Sequence, residues 1–128
     1  MLSEHDISGE LGQCEEPDWQ PLLDLVGVEL VGWFMWMTEI ELDDDTRVQA
    51  YKHRCTRRYF HLAVDGRAYV YVHRGRYREI DRQQAINVAF ECWKELCPKE
   101  DHDAIRAALR NARRAETVRA RKAATQQS

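Results

Sequence analysis

The chain has 128 residues, 44% of them hydrophobic, and a formal net charge of −3. That length bounds one domain with a real core, and no run approaches the ~18 apolar residues a membrane helix needs. With no basic and then apolar leader at its start, the sequence reads as a soluble cytoplasmic protein with no membrane role. Fifteen arginines against four lysines point to a GC-rich bacterial coding sequence.

The small net charge hides a split. Residues 1–45 carry 13 of the 22 acids and none of the 19 bases. The acidic half therefore faces a basic half, and mutual screening is the simplest account of the pattern.

In chain order, residues 1–17 read as an acidic flexible tail, residues 18–117 as a single α+β domain, and residues 118–128 as a basic and polar flexible tail. Pro17 and Asp18 open one short helix, with Trp19, Leu22, Leu23, Val26 and Leu30 at helical spacing. From Val31 the apolar pattern changes to period two. Asp43-Asp44-Asp45, Arg54-Cys55-Thr56 and Asp65-Gly66 divide it, which predicts four strands at about 33–42, 46–53, 57–64 and 67–74. The connections are short, so the strands form an antiparallel meander.

Asp81 starts the first of two C-terminal helices, with Gln84 at capping-box spacing. Ile86, Phe90, Trp93 and Cys97 form its apolar stripe, and Pro98 ends it. The second helix begins near Glu100 with a narrow seam of Ile105, Leu109 and Ala112.

The cysteines Cys14, Cys55, Cys92 and Cys97 read as reduced thiols. Cys92 and Cys97 diverge on a helix and no four-ligand cluster is visible in the spacing, so neither a metal nor a cofactor is predicted.

Strand registers follow from sorting the hydrophobic residues onto one face. A three-residue loop at Asp65-Gly66 pairs Leu62 with Ala68 and Phe60 with Val70. Three-residue loops at the other two turns extend the sorting. The expected core face is Trp36, Thr38, Ile40, Val48, Ala50, Phe60, Leu62, Val70 and Val72. The other face then carries Tyr51, His53, Arg57, Tyr59, His61, Tyr69, Tyr71 and His73, with Tyr51, Tyr59 and Tyr71 side by side.

That face supports a small binding or regulatory module. Its target is a polyanion, such as single-stranded nucleic acid stacked on the tyrosines, or an acidic protein surface. Arg47, Arg57 and Arg67 are the expected phosphate contacts. One alternative is a protein-interaction or homodimer surface with no nucleic-acid role. A second is metal-independent ribonuclease chemistry, with Glu39 as base, His61 or His73 as acid and Arg57 stabilising the phosphorane. No catalytic sequence motif accompanies that second constellation, so a non-enzymatic role is preferred.

Overall fold

The computed structural model describes residues 2–3 and 16–127. It is an α+β fold with an antiparallel sheet. The strands are β1 (Leu2–Ser3), β2 (Phe34–Glu41), β3 (Arg47–His53), β4 (Tyr59–Ala63), β5 (Ala68–His73) and β6 (Arg76–Ile80), in sheet order β1-β6-β5-β4-β3-β2. Strands β2 to β6 are the consecutive meander, and the two-residue β1 pairs along the outer edge of β6. The helices are α1 (Gln20–Val26), α2 (Val28–Val31), α3 (Arg82–Ala89), α4 (Trp93–Leu96) and α5 (His102–Gln127).

Four elements exceed the four-strand, three-helix expectation: the short edge strand β1, the strand β6, and the helices α2 and α4. Gly27, at φ 83°, breaks the N-terminal helical segment into α1 and α2. Cys92, at φ 63°, separates α3 from α4, although Ile86, Phe90, Trp93 and Cys97 are all buried as their spacing predicts. The strand β6 was not anticipated because RYREI lacks a clean apolar alternation. It forms because Arg74 and Gly75 both take positive φ, the two-residue turn whose twist suits a hairpin. Asp81 does stand at the N-cap of α3, but its side chain makes no capping bond. The helix α5 continues through Gln127, past the expected fraying point near Val118. The acidic tail falls largely on residues outside the described ones.

The helices share one core with one face of the sheet. Leu22, Leu25 and Leu30 join Ile86, Phe90, Trp93, Ile105 and Leu109 over Phe34, Tyr51, Phe60 and Leu62. The opposite face carries a second apolar layer of Ile40, Leu42, Val48, Ala50, Ala63, Tyr69 and Tyr77. No described helix packs on it.

Two hairpin loops have the expected length. Leu42 pairs with Thr46 across Asp43–Asp45, and Ala63 pairs with Arg67 across residues 64–66. Leu62 stands opposite Ala68 as predicted. Gly66, at φ 96°, holds a position where a Cβ would meet the Arg119 and Arg82 guanidinium nitrogens at 2.8 and 2.9 Å.

The middle loop differs. His53 pairs with Arg58, so the loop has four residues, 54–57. Arg57 closes it at φ 63°. The strain of that non-glycine residue is offset by side-chain bonds. His53 Nδ1 accepts from the amides of Cys55 and Thr56 at 3.0 Å each, and the Thr56 hydroxyl donates to the Ala89 carbonyl at 2.8 Å. One extra loop residue slides β3 by one position, and a one-residue slip turns a strand over. Tyr51 therefore pairs with Phe60 and Lys52 with Tyr59. A bulge between Trp36 and Thr38 keeps β2 in step, so Trp36 stays on the helix side while Thr38 and Ile40 move to the other face.

Candidate functional site: the open face of the sheet

The turned strand divides the expected Tyr/His/Arg face. Tyr51 and His53 lie under the helices. Tyr51 is fully buried, and its hydroxyl donates to the Asp18 carbonyl. Burial raises its ionisation well above the ordinary tyrosine range. His53 is fully buried against Phe34 and Phe90, with Trp33 stacked on it at 6.2 Å. Neither side chain is free to meet a ligand on the open face, and the row of Tyr51, Tyr59 and Tyr71 does not exist.

The ribonuclease constellation is also separated. Glu39 pairs with Gln49, and Gln49 with Leu62, which places Glu39 on the helix side. Its carboxylate is 3.7 Å from Arg47. His61 alternates with Leu62 and so points to the other face.

A different row takes the place of the expected one. On the open face Lys52 stands opposite Tyr59. Continuing the register of His61 with Tyr69 puts Tyr59 opposite Tyr71, and Tyr71 faces Tyr77. Tyr59 is 36% exposed and Tyr71 48%, while His61, Tyr69 and Tyr77 are buried among them. The buried rings support the exposed ones. Tyr59 stacks on His61 at 5.5 Å, His61 meets Tyr77 edge-on at 5.1 Å, and Tyr77 meets Tyr71 at 5.4 Å. The Lys52 ammonium sits 5.7 Å from the Tyr59 ring centroid. The Tyr71 hydroxyl accepts from the Gly75 amide at 3.2 Å, which fixes the ring against the hairpin.

Charge is sorted along the strands. The β3–β4 turn and the β5–β6 hairpin lie at the same end of the sheet, and they carry exposed Arg54, Arg57, Arg58, His73, Arg74 and Arg76. Of these, Arg58 approaches Glu91 at 3.9 Å. The opposite end carries Asp43, Asp44, Asp45, Asp65 and Glu79. Arg47 and Arg67, expected to meet phosphates, are at this acidic end. Arg67 is held by Asp65 at 2.8 Å and Arg47 by Glu39.

Burial holds both His53 and His61 down to about 4, because neither ring can be charged where solvent is excluded. The unfolded chain takes up protons at these histidines near 6.5, before the folded chain does. Their effect on stability is therefore flat above that pH and falls as the pH drops toward 4. Thermal unfolding midpoints measured from pH 8 to pH 4.5 should hold steady and then fall below about pH 6.5. Replacing His61 by glutamine should flatten part of that fall.

Two features here had no sequence signal. Lys52 and Tyr77 enter the row only because the middle loop has four residues and β6 exists. Cys55 and Cys97, 42 positions apart, are brought together where the β3–β4 turn meets the end of α4. A donor atom of His53 and the two sulfurs all lie within 4.8 Å of one another. Cys92, by contrast, is exposed, and Cys14 lies outside the described residues.

Comparison with known proteins adds no relative to this geometry: no protein-family model, curated protein or solved structure matches the chain.

Proposed function

We propose that the protein is a small binding module for single-stranded nucleic acid that uses the open face of the sheet. Tyr59 and Tyr71 form the stacking platform, with Lys52 beside them. Arg57 and Arg74, in the two turns at the basic end of the strands, neutralise phosphates. The observation that carries the reading is the pair of exposed tyrosine rings on adjacent strands, braced from below, at the one end of the sheet where cations cluster. Aromatic faces accept any unpaired base, and arginines beside them hold the backbone. A duplex hides its base faces and gains only the charge term.

The test is fluorescence anisotropy with a labelled single-stranded RNA, the matching duplex and heparin, each at several salt concentrations. The expected result is tighter binding of the single strand. Its affinity should fall with salt at a slope near that of about three to five phosphates released. Equal affinity for all three would reduce the face to a charge patch. No binding would end the nucleic-acid reading and leave a protein partner or a homodimer for this face.

A further inference from the structure

We propose that Cys55 and Cys97 are a redox modification site that closes reversibly to a disulfide. The two sulfurs lie within 4.8 Å of each other. Their exposure is unequal. Cys55 is partly exposed on the β3–β4 turn, and Cys97 is buried. An oxidant from solvent therefore meets Cys55 first.

The chemistry balances with a low-molecular-weight disulfide as oxidant. Cys55 sulfur, as thiolate, attacks one sulfur of that disulfide and expels a small thiol. Cys97 sulfur then attacks Cys55 sulfur in the mixed disulfide and expels the second small thiol. The protein loses two protons and two electrons, and the small disulfide is reduced to two thiols. Burial and the neighbouring Cys55 push the Cys97 thiol up to about 12, so Cys97 fits the second step and not the first.

The same cluster resembles a Cys2His metal site, but the histidine argues against it. His53 Nδ1 accepts two backbone amides, so the neutral ring carries its proton on Nε2. Neither nitrogen then has a lone pair free for a cation. A ligating histidine does the reverse and donates from its second nitrogen. Among the described residues His53 Nε2 has no hydrogen-bond partner, which leaves the two thiols as the reactive groups.

The bond would tie the β3–β4 turn, with Arg54, Arg57 and Arg58, to the helix layer. It closes a long loop of chain, and that constrains the unfolded state most.

Reduced full-length protein should be incubated with oxidised glutathione, alkylated, and mapped by peptide mass. The expected product is a Cys55–Cys97 linked peptide that dithiothreitol reverses, with Cys92 still alkylated. The thermal midpoint should rise by on the order of 10 °C on oxidation. That rise should be absent from Cys55→Ser, a near-isosteric change at a partly exposed position. Three results would overturn the proposal: a lasting glutathione adduct on Cys55 with Cys97 free, pairing of either residue with Cys14 or Cys92, or thiols that resist alkylation until a chelator is added. The last would assign the pair to a metal ion instead.

Discussion

Replacing Tyr59 and Tyr71 together by alanine is expected to weaken binding of a single-stranded oligonucleotide about thirtyfold or more. Each stacked base is worth roughly 1–3 kcal/mol, and about 1.4 kcal/mol is a factor of ten. Both rings are partly exposed and neither belongs to the buried core, so the double variant should still fold, with a modest drop in its unfolding midpoint. Tyr51 gives the contrast. It is fully buried and bonded to the Asp18 carbonyl, so Tyr51→Ala should cost stability and leave per-molecule affinity of the folded fraction unchanged. Arg74→Ala should lower affinity and reduce the salt slope by about one, because it removes one phosphate contact. Arg67→Ala, at the acidic end and already paired with Asp65, should change affinity less than twofold, about the scale of an exposed pair. Anisotropy titrations of the four variants decide the matter. If Tyr51→Ala and the double tyrosine variant lose binding alike at matched folded fraction, the open face is not the platform.

The second large effect concerns stability. Glu116→Ala is expected to destabilise the fold by about 3–5 kcal/mol, because it strands a buried cation. Arg82, the first residue of α3, reaches Glu116 of α5, with only 14% of the Arg82 side chain and 6% of the Glu116 side chain exposed. Their guanidinium and carboxylate meet at 2.6 and 2.8 Å, and Arg82 also donates to the Gly66 carbonyl. The pair thus joins the hairpin loop, the start of α3 and the middle of α5. Double replacement by leucine and methionine should recover most of the loss, since apolar groups of similar volume leave no unpaired charge. Urea unfolding with a constant slope would measure both. A loss below about 1 kcal/mol for Glu116→Ala would mean that water reaches Arg82 as it reaches an exposed pair.

The Arg82–Glu116 pair also shows where reading α5 from its sequence stops. The spacing of Ile105, Leu109 and Ala112 marks the buried seam correctly. One turn further on, Glu116 occupies the same seam, and a lone glutamate among arginines reads as solvated. Only the arrival of Arg82 from another helix makes its burial favourable. In the same way β6 was missed because RYREI has the composition of an exposed edge. Its pairing comes from the turn at Arg74 and Gly75 and from β5 beside it.

By itself the sequence determined the α+β class, the antiparallel meander, the three-residue loops at Asp43–Asp45 and around Gly66, and the stripes that bury Ile86, Phe90, Trp93, Ile105 and Leu109. These rest on local signals: acidic turns, a glycine at positive φ, and apolar spacing along one element. The tertiary structure alone decided which side β3 presents. That choice depends on the length of the middle loop. The fourth loop residue is held by the buried His53 ring and by a Thr56 hydroxyl that reaches the Ala89 carbonyl across the core. Alternation leaves Val48 and Ala50 as plausible on the core face as Tyr51, because both faces of this sheet are apolar. A strand with two acceptable faces takes its orientation from its loop, and this loop takes its length from a contact with a helix more than thirty residues away.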